Sequence, residues 1–201
     1  MSFRYLFGDR EIVVRRVSSM PSPSASQASA TSTFRRFRRN RRGSAAVEFA
    51  LVAPVFFVLL FAIIETAIMF FASQVLETIT QSASRQILTG QAQSANYPDA
   101  THFRTSVVCP AIPAIFNCNN IYVDVKNYPA FTNVVINSQI VAGSFDSSTL
   151  SYNPGGPGDI IVVRLFYQWQ LFVTGLGYNI SNLNGSQRLL VATSAFRNEP
   201  Y

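Results

Sequence analysis

The chain has 201 residues, enough for one or two domains. It is 48% apolar and 13% aromatic but only 13% charged, whereas a soluble domain carries roughly a quarter of its residues as charges; the shortage argues against a soluble cytosolic enzyme and against a disordered protein. The net charge of +6 is concentrated at one end: residues 1–43 hold ten Arg against Asp9 and Glu11, while residues 44–201 hold six basic against eight acidic side chains. A nucleic-acid-binding domain carries its positive charge on its folded part, so no nucleic-acid partner is expected.

Residues 1–19 mix short apolar stretches with Arg and Ser, and residues 20–33 are a Ser/Ala/Pro-rich linker. Met20 opens that linker, and translation starting there is an alternative to Met1. Residues 34–43 (FRRFRRNRRG) contain six Arg. The character then reverses. From Ser44 to Ala72 only Glu48 and Glu65 are charged, and residues 49–64 (FALVAPVFFVLLFAII) form an unbroken apolar run. Apolar on every face, such a helix needs burial all round or a bilayer, and with its flanks it reaches the roughly 30 Å of a hydrocarbon core. Pro54 should kink it. The preceding Arg cluster predicts a cytoplasmic N-terminal arm and places everything after Ala72 across the membrane. The run is too long for the apolar part of a cleaved signal peptide.

Helical spacing continues beyond the apolar run. Ala72, Val75, Leu76, Ile79, Ala83 and Ile87 recur on one face with Gln74, Glu77, Gln81 and Arg85 between them, and Thr89-Gly90 is a stop. One helix over about residues 46–88 is therefore expected, with a membrane half to residue 72 and an amphipathic continuation over 73–90. From Asn96 the sequence turns to β character. Ile121, Val123 and Val125 alternate with polar neighbours, residues 131–136 read as a weaker strand, residues 151–158 (SYNPGGPG) as a turn, and residues 159–173 and 188–197 as strands. Residues 91–201 should form a small antiparallel sheet domain packed on the amphipathic half, an α+β arrangement.

Chemistry-bearing constellations are few. The lone His102 and the absence of a C-x-x-C pair leave no metal site to expect, and no cofactor is expected. Asp99, His102 and Ser106 lack any sign of triad geometry, and Gly155-Gly156-Pro157-Gly158 lacks the Lys-Ser/Thr of a phosphate loop. Cys109 and Cys118 suit one disulfide in an oxidising compartment and two free thiols in a reducing one. The topology above puts them on the oxidising side and predicts the bond.

The informative segment is Arg41-Arg42-Gly43-Ser44-Ala45-Ala46-Val47-Glu48, which leads into the apolar run. GSAAVEFALVAPVF resembles the processing site of type IV pilins in its Tad (Flp-type, tight adherence) form, and Ile63-Ile64-Glu65 with the closing AFRNEPY resembles the TadE-like pseudopilins. The resemblance implies a pilin-like fold and cleavage after Gly43 by a membrane aspartyl prepilin peptidase, with Ser44 as the new N-terminus. It also implies that Glu48, fifth in the mature chain, pairs with a neighbouring subunit's α-amine. Type IV pilins usually have Phe where Ser44 stands, and Tad-type chains accept small residues there. Glu65 is expected near the far membrane edge, where a carboxylate is readily wetted, with a subunit contact inside the membrane as its other role. The implied function is a non-enzymatic, single-pass inner-membrane subunit for Tad pilus assembly and bacterial adhesion, with its C-terminal domain periplasmic. Its partners would be the prepilin peptidase, other pseudopilins, the pilus machinery and the membrane. The alternative is an uncleaved signal-anchored protein with a periplasmic binding domain. TadF and TadG are rivals within the resemblance, although TadG-type chains are longer.

Overall fold

A computed structural model describes residues 43–173 and 178–201. The Arg-rich arm, the linker and Met20 lie outside the described residues. The chain divides into two units, Met1–Phe49 and Ala50–Tyr201. Of the first, the described part is Gly43 and the opening of a helix, with every residue exposed.

That helix, α1, runs Ser44–Leu88 as one element and continues through Pro54. Its first half carries large apolar side chains on all faces, and they are exposed. Its second half buries a single stripe, Met69, Ala72, Leu76, Ile79, Ala83 and Ile87. This is the periodic set expected from the sequence, with Met69 added and Val75 left at the margin. Thr80 and Ser84 share the buried face; Thr80 donates its hydroxyl to the Leu76 carbonyl at 2.8 Å, which removes the cost of burying it. α1 stops where Gly90 takes a left-handed φ of 73°, and the Gly90 N–H bonds the Ile87 carbonyl at 3.0 Å. A side chain at Gly90 would meet the ring of Tyr201. The Leu88 carbonyl accepts the Glu199 N–H at 2.9 Å, which ties the chain's closing segment to the helix end.

The sheet has three antiparallel strands in the order β1 (Ile121–Tyr128), β4 (Ile160–Gln170), β5 (Gln187–Arg197). A small hairpin, β2 (Ile140–Val141) with β3 (Ser144–Phe145), lies in the connection between β1 and β4. Period-two alternation splits each long strand between two faces. Ile121, Val123, Val125, Ile161, Val163, Leu165, Leu190 and Ala192 form one cluster with the buried stripe of α1. Phe166 and Leu189 belong to a second cluster, covered by Tyr122, Ile140, Phe145 and Leu150. The fold is thus α+β, a long helix packed on a small antiparallel sheet.

Two expected features differ. Residues 100–111 are helical turns, not β structure. Asp99 caps the turn Ala100–Phe103 by accepting the N–H groups of Thr101 and His102, and Phe103 and Val108 enter the core. Residues 131–136 form no strand; Phe131–Asn133 is a tight turn, and Phe131, Val135 and Ile136 are exposed. The outer edge of β1 is already used. The Val125 N–H donates to the Ser151 carbonyl, and the Asn153 N–H donates to the Val125 carbonyl, both at 2.8 Å. A strand needs a free edge to pair with, and residues 131–136 find none there.

Candidate functional site

α1 is long and apolar enough to cross a membrane, and none of its most apolar 18-residue window is buried. Water-exposed apolar surface on this scale marks an interaction surface. At the start of this helix, Gly43 and Ser44 are exposed. A side chain at Gly43 would meet nothing among the described residues, and its backbone does not adopt a left-handed conformation. The described fold therefore places no demand for glycine at this position. Glu48 is exposed and has no partner among the described residues.

Glu65 is satisfied in another way from the wetting expected of it. It is only 9% exposed. One carboxylate oxygen accepts the Phe172 N–H, and the other accepts the Val173 N–H at 3.0 Å. The acceptor lies on α1 and the donors lie in the turn that leaves β4, so the carboxylate latches that turn to the helix. Next to it, the Thr66 hydroxyl pairs with the Tyr178 hydroxyl and also donates to the Ala62 carbonyl at 2.8 Å. An apolar cleft of about 300 Å³ opens beside the latch, walled by Phe61, Ile64, Ile68, Trp169 and Phe172.

Cys109 and Cys118 are joined by a disulfide with Cα atoms 5.5 Å apart, within the usual range for such bonds. The bond closes the loop that carries Phe116 into the core, where its ring meets Tyr167 and Trp169 edge-on. Asp99 and His102 form an exposed helix-cap pair, with ring Nδ1 3.0 Å from the carboxylate. The Asp99 carboxyl is held below its usual range chiefly by the His102 backbone N–H, helped by the His102 ring. That arrangement caps a turn and offers no nucleophile.

Asp124 and Arg164, not anticipated from the sequence as a pair, stand directly opposite each other on β1 and β4. Arg164 donates through Nε at 3.0 Å and Nη2 at 2.7 Å to one Asp124 oxygen, while the other oxygen accepts the Ser151 N–H at 2.8 Å. The remaining guanidinium nitrogen bonds the Asn137 carbonyl at 3.0 Å. Both side chains are buried. A charge set among apolar neighbours, Asp124 in IYVDV and Arg164 in IIVVRLFY, was the available signal.

Residues 43–85 match the family model of TadE-like protein. The match opens at Gly43 and takes in α1 as far as Arg85. No curated protein and no solved structure matches the chain. The matched residues take in GSAAVEFALVAPVF and Ile63-Ile64-Glu65, the latter one of the two segments resembling the TadE-like pseudopilins; the other, the closing AFRNEPY, lies outside them.

Proposed function

We propose that the chain is a minor pseudopilin of a Tad pilus system, a single-pass membrane subunit with a structural and non-enzymatic role. The observation that carries this reading is the junction at Gly43. An Arg cluster ends in a glycine that the described fold does not need, and a helix apolar on every face follows, with a lone carboxylate near its start. A glycine without a local structural reason is accounted for by a partner that requires an unobstructed backbone, as a peptidase does at a scissile bond. Cleavage between Gly43 and Ser44 removes an arm of ten Arg that cannot readily leave the cytoplasm. It also frees an α-amine. A carboxylate at a bilayer edge is costly unless paired, and the amine of a neighbouring processed subunit is a fitting partner for Glu48. The exposed apolar half of α1 is stored in the bilayer before assembly and offered to other subunits during it, while the sheet domain stands across the membrane.

The intact mass of the protein extracted from its native membrane tests this directly. The expected species runs from Ser44 to Tyr201 and begins Ser-Ala-Ala-Val-Glu, and Gly43→Phe should leave the precursor uncut. A wild-type mass that retains the Arg cluster would instead establish an uncleaved, signal-anchored protein.

A further inference from the structure

The turn that leaves β4 meets α1 inside the stretch a bilayer has to cover. Exposed apolar side chains continue along α1 from Leu51 to Phe70 and Phe71, which are 61% and 59% exposed. At about 1.5 Å per residue the step from Leu51 to Phe71 spans roughly 30 Å, the thickness of a hydrocarbon core. Glu65 lies roughly 9 Å short of Phe71 by the same rise. Phe172 and Val173 are bonded to Glu65, so they are carried to its depth.

The chemistry of this turn suits that depth. No charged side chain stands between Arg164 and Arg188. Phe172 is 86% exposed, more than any other large apolar side chain among the described residues. Among the described residues of the turn, the Phe172 and Val173 N–H groups bond Glu65 and the Tyr178 hydroxyl pairs with Thr66. Backbone outside a helix is tolerated at membrane depth only when its polar groups are satisfied within the protein. Trp169, which lines the cleft beside Phe172, stands at this end of the sheet, and Trp is enriched at membrane–water interfaces.

We propose that Phe172 and Val173, latched on Glu65, dip into the bilayer beside α1, so that the sheet domain has its own membrane contact and rests on the lipid. The partner is the acyl-chain layer of the leaflet nearest the domain, because the Phe172 surface is continuous with the Ile64 and Ile68 surface of the helix. Glu65 is the positioning residue. The inference rests on the membrane placement of α1 and is independent of the pilus role.

The test uses the full chain in phosphatidylcholine vesicles with brominated acyl chains. A single added cysteine carries an environment-sensitive fluorophore; Cys109 and Cys118 are bonded to each other and do not compete. The sites are Phe172→Cys, Phe57→Cys within the span, and Val135→Cys, which is 63% exposed in the connection beyond the opposite end of β1. Bromolipid should quench labels at 57 and 172 and leave 135 unaffected, and aqueous iodide should quench 135 severalfold more than 172. Quenching of 172 by iodide to the level of 135 would overturn the proposal. Shielding of 172 from both quenchers would also overturn it, in favour of a second copy or another subunit. Absence of bromolipid quenching at 57 would overturn the membrane placement itself. Glu65→Ala removes both acceptors and should raise iodide access at 172 severalfold; unchanged access would remove Glu65 from its positioning role.

Discussion

Asp124 and Arg164 illustrate how one pair of residues sets the sheet. They are cross-strand neighbours, and the pair fits only the register that brings them opposite each other. Removing one charge strands the other in a buried site, at a cost of about 3–5 kcal/mol. Asp124→Ala should destabilise the detergent-solubilised full chain by about that amount, read from denaturant unfolding through the emission of the only tryptophan, Trp169. The double change Asp124→Leu with Arg164→Met removes both charges and should recover most of the loss, because apolar replacement of a buried pair is often neutral. Tyr152 behaves differently. Its hydroxyl has no hydrogen-bond partner among the described residues, and burial, then the charges of Tyr97 and Asp99, push its pKa up to about 12. Above pH 10 the unfolded chain releases this proton while the folded chain keeps it, so stability falls as pH rises from 10 to about 12. Because the ring is half exposed, the loss is about 1 kcal/mol, smaller than the full shift implies. Tyr152→Phe should leave neutral-pH stability unchanged and flatten that alkaline slope, measured as unfolding midpoint against pH.

At the scale of elements, the disulfide binds a region with little regular structure. Between Cys109 and Cys118 the chain forms only short turns, and Phe116 is its main anchor in the core. A loop of this length restricts the unfolded chain by about 2–3 kcal/mol. Cys109→Ser with Cys118→Ser should lower stability by about that amount, with retention of far-ultraviolet circular dichroism showing that helix and sheet persist. The elements most readily read from sequence are those whose own periodicity decides them. α1 announces itself by an all-round apolar run followed by a 3.6-residue stripe, β1 by alternation, and β4 by a long β-branched and aromatic run. Residues 131–136 carry a strand-like pattern, yet pairing is decided elsewhere, by residues 151–153 occupying the edge of β1. The Glu65 latch was illegible for a related reason. Its donors are backbone N–H groups more than a hundred positions away, and a backbone N–H leaves no mark on side-chain pattern. Gly43 is the opposite case: the sequence raised it by its place between an Arg cluster and an apolar helix, and the structure adds that no local constraint accounts for it.

At the scale of the whole molecule, the charge asymmetry and the disulfide favour the orientation that the proposed processing also needs. Six Arg stand in residues 34–43, directly before the span, while Arg85 is the only Lys or Arg between Ala72 and Arg104; such an asymmetry favours a cytoplasmic N-terminal side. The disulfide in the sheet domain requires an oxidising compartment to persist. Cleavage after Gly43, in the reading above, makes assembly possible only if the arm is on the side where it would otherwise be retained. In the proposed orientation the sheet domain stands across the membrane from the Arg cluster. A reporter that is active only outside the cytoplasm, fused after Tyr201, should therefore be active, and the same reporter fused ahead of the Arg cluster should be silent. The charge asymmetry is the cause with a direct lever. Replacing the six Arg of residues 34–43 by Asn while adding Lys after Ala72 should lower the C-terminal signal and leave Cys109 and Cys118 open to alkylation, since an inverted domain meets a reducing cytosol. If activity and the disulfide both survive that change, the orientation is set by something other than the Arg cluster, and recognition of the Gly43 junction by the processing machinery becomes the better explanation of how the chain is placed.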